Sequence, residues 1–247
     1  MTAKNSGGFF DFIRTIIYAV VIALAVRTVA FEPFNIPSKS MLPTLEVGDY
    51  LFVSKYSYGY SRHSLPLSLP LIPGRIFSST PERGDVAVFK TPSDNRTDFI
   101  KRVIGLPGDK IQMKQGRLYI NRNPVKRDRI ENYTEITENG LSRSVTRYEQ
   151  TLPTGRKHEV LEVQLDQGDL DNTGIYIVPS NHFFVMGDNR DNSQDSRITS
   201  QVGFVPRDNL VGRAEFLFFS TDGSAVWWNP VSWWTALRGN RVFKLIK

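Results

Sequence analysis

The chain has no cysteine and only three histidines, His63, His158 and His182. The first absence removes disulfides, thiolate nucleophiles and Cys-based zinc sites together. Three scattered histidines do not compose a His-based metal site either. Acidic residues are missing from Ala225 to Lys247, where Arg238, Arg241, Lys244 and Lys247 stand beside Trp227, Trp228, Trp233 and Trp234. That mixture suits the headgroup layer of an anionic membrane, and it equally suits a Trp-rich flap closing a core. The net charge of +6 is mild and no strongly basic stripe runs through the rest of the chain, which argues against a nucleic-acid partner.

Long uncharged apolar runs are scarce. The best stretch, Thr15 to Val26, is short for a membrane span and is bounded by Arg14 and Arg27. Both arginines lie near the ends, where long side chains can reach the interface. Counted from Phe9 to Phe31, a helix would extend about 35 Å, enough to cross a bilayer. A single-pass anchor and a removable leader both fit, since Thr28-Val29-Ala30 is a usable cleavage site. The flanking charges (Lys4 and Arg14 before, Arg27 and Lys39 after) are nearly balanced and set no orientation.

At 247 residues, 40% apolar and 23% charged, the chain has room for one large domain or two modest ones. Beyond Phe31 the helical period fades. Short runs of Val, Ile, Phe and Tyr alternate with turn residues, which reads as mostly β. Asp85 to Lys90 predicts a strand with both faces apolar. Ile111 to Lys114 and Arg117 to Asn121 flank Gln115-Gly116, a two-residue hairpin signal. Ile175 to Val178 and Phe183 to Met186 are further strands. Tyr58 to Glu82 carries Pro66, Pro70, Pro73 and Pro81 with Leu65, Leu67, Leu69 and Leu71, and reads as an extended surface loop or ribbon able to touch lipid or a partner. Arg122 to Gly174 is strongly polar and reads as an insertion or second lobe with little core of its own.

Three segments could carry chemistry. In Pro37-Ser38-Lys39-Ser40-Met41-Leu42-Pro43-Thr44-Leu45, two serines followed by Pro-Thr suggest a tight turn exposing one hydroxyl; a Ser-rich turn or helix cap looks the same. In Asp98 to Asp109, Lys101 lies in an otherwise apolar strand. Buried, its amine would lose basicity and could activate a serine, whereas on a solvated face it would do neither. The third, Gly187 to Arg197, is a dense polar loop. Counted from Asp191 as a calcium loop, it places Ser196 where glycine is needed and Val202 where the bidentate Glu belongs, so that reading fails. A hydrogen-bonding scaffold around a catalytic group fits better.

Together and in this order, the three segments resemble the motifs of the bacterial type I signal peptidase family. The resemblance covers the N-terminal hydrophobic anchor, Glu32 to Tyr60, Arg83 to Val125 and Val178 to Ala214. It implies Ser40 as nucleophile and Lys101 as general base. It implies that Ser38 and the Ser40 N–H bind the oxyanion, that Ser193 orients the lysine, and that Asp195 and Arg197, with Arg102, form a structural ion pair. Phe34, Ile36, Pro37, Met41, Leu45, Phe99 and Ile100 fall where the family lines pockets for small residues at −1 and −3 of the cleavage site. The residue between the serines is often glycine in the family and is Lys39 here. Neighbours in extended backbone face opposite ways, so Lys39 should point away from the Ser40 hydroxyl. His182, a rival base, reads as a structural histidine.

The architecture so implied is mostly β: a single N-terminal transmembrane helix, then an antiparallel β-sheet catalytic domain with a smaller inserted β lobe. The expected division is a cytoplasmic tail (1–8), a membrane helix (9–31), a catalytic domain (32–110 and 180–224), an inserted lobe (111–179) and a basic Trp-rich tail (225–247) able to lie on the membrane. The implied function is removal of signal peptides from exported preproteins through an acyl-enzyme, without metal or organic cofactor. The implied partners are signal peptides and membrane lipid. The expected form is a monomer, single-pass in the inner (plasma) membrane, with the catalytic domain on its periplasmic or outer side. A self-cleaving Ser–Lys repressor would need a DNA-binding domain and an internal cleavage site, and the hydrophobic N-terminus offers neither. A peptidase dedicated to one substrate, or an inactive peptide-binding β domain, remains a rival.

Overall fold

The computed structural model describes residues 8–137, 139–164, 168–226 and 228–246, without the side chains of Leu67 and Pro230. Residues 1–7 of the expected cytoplasmic tail, with Lys4, as well as Trp227, Lys247 and the Leu67 side chain, therefore lie outside the described residues.

The first apolar run forms α1 (Gly8–Val29), with none of its residues buried. Its 22 residues extend about 33 Å, and it is long and apolar enough to cross a membrane. Arg27 in the last turn meets the negative end of the helix dipole and pairs with Glu32 just beyond. The helix stops two residues short of the expected Phe31, because Phe31 is taken into the first strand and pairs with Ser54.

The chain then runs as β1 (Phe31–Asn35), passes the segment bearing Ser40, and returns as β2 (Asp49–Ser54). A short ribbon follows, β3 (Tyr60–Ser61) with β4 (Arg75–Ile76), and then the hairpin β5 (Val86–Lys90) and β6 (Asp98–Gly105). Next come β7 (Lys110–Lys114), β8 (Arg117–Ile120) and β9 (Asn123–Pro124), and the longer β10 (Lys126–Ile136), β11 (Ser142–Thr151) and β12 (Lys157–Glu162). The strands β13 (Tyr176–Ile177), β14 (His182–Met186), β15 (Val205–Pro206) and β16 (Leu210–Ser220) precede the short helix α2 (Pro230–Ala236).

The main sheet has the order β1-β2-β16-β5-β6-β14-β15, with every neighbouring pair antiparallel. Its central strand β5 is buried on both faces, as alternation through a two-sided core requires. Val86 and Val88 join one apolar cluster with Met41, Leu45 and Leu51, while Ala87 and Phe89 join another with Val103, Phe183 and Val185. The turn at Gln115-Gly116 has φ of 46° and 67°, the left-handed pair that a tight hairpin between β7 and β8 demands.

Residues 111–179 divide between two small sheets, β13-β7-β8-β9 and β10-β11-β12. The apolar side chains of the first (Ile111, Met113, Leu118, Ile120) share one cluster with Ile104 of β6 and Phe184 and Met186 of β14. Val145 and Leu161 of the second pack on Leu42, two residues past Ser40. Both small sheets thus press on the strands and the turn that carry the polar motifs.

Of the two readings open for the basic C-terminal tail, the contacts of its arginines fit a segment packed on the fold. Arg238 pairs with Glu46, and Arg241 is buried against Asp49 and Glu46 while donating to the Thr44 carbonyl. These two charges are consumed inside the fold rather than offered to headgroups. Trp228, Trp233 and Trp234 stay exposed.

Candidate active site

Ser40 sits in the turn between β1 and β2, and Lys101 is the fourth residue of β6. Long-range packing brings them together. The Leu42 and Met41 side chains are sunk in apolar clusters on either side of the turn, and Asn189 clasps its backbone. The Asn189 N–H donates to the Ser40 carbonyl at 3.1 Å, and Asn189 Nδ2 donates to the Lys39 carbonyl at 3.1 Å. Lys101 Nζ then lies 2.7 Å from Ser40 Oγ and 2.8 Å from the carbonyl oxygen of Ile100.

The surroundings decide the protonation of this amine. Lys101 is only 4% exposed, and no carboxylate accepts from it. Burial pulls its pKa from 10.5 down to about 8, against the weaker opposing pull of the Asp195 and Asp188 charges. A lysine in this state can shed its proton near neutral pH and take one from a hydroxyl in contact with it.

Ser38 Oγ stands 3.2 Å from Ser40 Oγ, on the exposed side. The Ser40 N–H donates to no backbone carbonyl among the described residues. A hydroxyl and an N–H beside an attacking oxygen can together hold a developing oxyanion. Lys39 turns away, as expected, and its amine reaches Glu135 at 3.1 Å and the Ile136 carbonyl at 3.1 Å. His182 sits at the start of β14, bonded to the Ser180 carbonyl.

The loop from Gly187 to Arg197 supports this arrangement through two buried ion pairs. Asp195 accepts from Arg197 twice at 2.9 Å and from the Gly187 N–H at 3.0 Å. Asp188 accepts from Arg102 at 2.9 and 2.7 Å and from the Thr44 hydroxyl at 2.6 Å. Burial would push the Asp188 carboxyl up, but the Arg102 guanidinium outweighs it and holds the pKa below its ordinary value. The grouping of Arg102 with Asp195 and Arg197 is therefore corrected: the ion-pair partner of Arg102 is Asp188, and together they tie β6, the loop and the Ser40 turn. Sequence reasoning missed Asp188, Asn189 and Thr44, although the unexplained polarity of the loop was their signal.

Two further expectations are corrected. Ser193 is buried in the wall of the same cleft, and among the described residues no hydrogen bond joins its Oγ to Lys101; its hydroxyl lies toward the Asp195 carboxylate instead. Met41 and Leu45 are fully buried in the core instead of lining a pocket. The turn directs them inward to the cluster behind it. Phe34, Ile36, Pro37, Phe99 and Ile100 do line an open cleft of about 680 Å³, with Ser38, Ser40 and Lys101 in its wall. Val88, Leu170 and Ile198 add apolar surface that was not foreseen.

A poised amine touching one hydroxyl, set in an open and mostly apolar cleft, is the equipment of a hydrolase of the serine class. The chain belongs to the signal peptidase family, peptidase S26, whose profile matches residues 9–219. Two curated relatives named signal peptidase I are similar over nearly the whole chain. The protein of Rickettsia conorii (strain ATCC VR-613 / Malish 7) is 39% identical, covering 98% of this chain and 93% of its own. That of Rickettsia typhi (strain ATCC VR-144 / Wilmington) is 39% identical, covering 98% and 94%. The crystal structure of a signal peptidase I from Enterococcus faecalis V583 matches with 26% identity and a TM-score of 0.32, over 55% of this chain and 97% of that one. With α1 as its apolar helix, the protein is a membrane-anchored serine peptidase of the signal-peptide-removing kind.

Proposed function

We propose that the protein cleaves signal peptides from exported preproteins by a Ser40–Lys101 dyad, after small residues at −1 and −3. The observation that carries this reading is the 2.7 Å approach of a buried lysine amine to a serine hydroxyl. Neutral Lys101 takes the Ser40 proton as Oγ attacks the scissile carbonyl carbon. The Ser38 hydroxyl and the Ser40 N–H hold the oxyanion, a contribution of about 3 kcal/mol per donor. Collapse expels the new N-terminal amine, which receives the proton from Lys101, and leaves an ester on Ser40. Lys101 then deprotonates a water that attacks the ester, and the signal peptide leaves as a carboxylate while Ser40 regains its proton.

The preference for small side chains is supported by the bulk of Phe34, Ile36, Phe99 and Ile100 around the nucleophile. Asp195–Arg197 and Arg102–Asp188 serve as structural ion pairs. The protein acts as a monomer, with residues 32–110 and 180–224 as catalytic domain, 111–179 as the inserted lobe, and everything beyond α1 on the outer face of the inner membrane.

The test is cleavage of a precursor with Ala at −1 and −3 by the parent, Ser40→Ala and Lys101→Met. Both variants should fold and be inactive. Activity retained by folded Lys101→Met would end the dyad reading, and equal cleavage of a precursor with Phe at −1 would end the specificity reading.

A further inference from the structure

Arg75 of the β3–β4 ribbon and Arg207, directly after β15, make no salt bridge among the described residues. Arg75 Nη1 donates to the carbonyls of Tyr58 and Gly59, at 3.4 and 2.7 Å. Its Nη2 donates to the Ser61 hydroxyl at 3.4 Å, to the Asp208 carbonyl at 3.3 Å and to the Leu210 carbonyl. All five acceptors are uncharged, so they fix the guanidinium in place without cancelling its charge. Its Nε is buried without a partner, and so is Nε of Arg207. Burial pulls Arg75 down to about 10; the Asp208 carboxylate opposes that shift and the Arg207 charge adds to it. Both arginines line one recess of about 410 Å³ with Ser78, Asn181 and His182. Asp208 is the only acid in that lining, so two guanidinium groups stand near one carboxylate.

Two apolar residues, Ile76 and Phe77, lie between the lining residues Arg75 and Ser78; Phe77 is 83% exposed and Ile76 is exposed beside it. The ribbon is also joined to the end of α1. Tyr60, which pairs with Ile76 across the ribbon, donates its hydroxyl to the Val29 carbonyl at 2.7 Å. The exposed apolar surface of the ribbon is thus coupled to the point where α1 leaves the bilayer.

We infer that the Arg75–Arg207 recess binds the phosphate of an anionic phospholipid from the membrane that α1 crosses, with Ile76 and Phe77 against its acyl chains. Guanidinium groups match phosphate geometry, and an anion in the recess would offset the excess positive charge of its lining. The neighbouring aromatic and aliphatic side chains supply what a free phosphate would not use. This site is separate from Ser40 and Lys101 and its test does not depend on cleavage.

The experiment is calorimetric titration of the full chain, held in a neutral maltoside micelle, with three probes: dihexanoyl phosphatidylglycerol, dihexanoyl phosphatidylcholine and inorganic phosphate. Saturable binding of the phosphatidylglycerol alone is expected. Arg207→Met, which keeps the aliphatic stem, should weaken it about tenfold, the loss of one charge-assisted hydrogen bond. Arg207→Lys should recover part of the loss, and Phe77→Ser should cost about threefold through lost apolar burial. Peptidase activity of Arg207→Met in the neutral micelle should equal that of the parent, which certifies its fold. Equal binding of inorganic phosphate and the anionic lipid would overturn the lipid assignment. Binding unchanged in Arg207→Met, or no saturable binding at all, would overturn the site.

Discussion

If Lys101 is the base, its burial should set the pH profile. Its pKa of about 8, against 10.5 for an ordinary lysine, leaves about 10% of the amine neutral at pH 7 instead of about 0.03%, a gain of roughly 300-fold in usable base. Measured from about pH 6 to about pH 11 on a fluorogenic peptide with Ala at −1 and −3, log kcat/KM should rise with unit slope and level off near 8. The same shift has a stability consequence. Below pH 8 the folded and unfolded chains both carry the proton, and the fold bears the full cost of a buried ammonium, about 3 kcal/mol. Between about 8 and 10.5 the folded state has released that proton while the unfolded state still holds it, so stability from this group rises with pH. Lys101→Met removes the cost along with two hydrogen bonds worth about 1 kcal/mol each, and should melt no lower than the parent at neutral pH while losing activity. An inflection near 10, or a Lys101→Met chain that melts well below the parent, would refute the claim that a desolvated amine is poised beside Ser40.

Ser38→Ala should lower kcat by about 10²–10³ with little change in KM, and Ser38→Thr should restore most of it, read in steady-state kinetics on the same peptide. Gly187→Ala places a methyl group 2.2 Å from Ser193 Oγ and 2.5 Å from the Ser40 carbonyl oxygen. It should reduce kcat at least about tenfold through displacement of the nucleophile, visible as a loss of burst acylation. Met41→Ala should destabilise the fold by about 2–5 kcal/mol in urea titration while leaving the −1 preference unchanged, because Met41 lies in the core and not in the cleft.

Much of the architecture was legible where periodicity is decisive. The apolar run of α1, the two-sided strand β5 and the Gln115-Gly116 turn follow from local pattern alone. The candidate site was legible as three polar segments whose order matched a known family, and the reading that Lys39 faces away from Ser40 needed only backbone geometry. What stayed hidden depends on partners distant in sequence. Nothing local distinguishes Asp188 from Asp195 as the mate of Arg102, since that choice is made when β6 and β14 pair with each other. Met41 and Leu45 look like pocket residues because they follow the nucleophile, yet a tight turn reverses direction within two residues and sends them to the core. Arg238 and Arg241 could be assigned neither to headgroups nor to the fold, because Glu46 and Asp49, which hold them, lie almost two hundred positions earlier.

The junction of α1 and β1 carries a last consequence. The helix gives way to β1 without a linker: Ala30 accepts from the Lys55 N–H at 3.0 Å, and Glu32 binds Arg27 on one side and Lys55 on the other. If Ser40 is the nucleophile and α1 spans the membrane, so short a joint should hold it near one height above the bilayer, like a blade bolted to its post. Reach along the membrane normal then becomes a selection rule of its own. A scissile bond at the wrong altitude is spared whatever residues surround it, and lengthening the joint by a few glycines should move the cut.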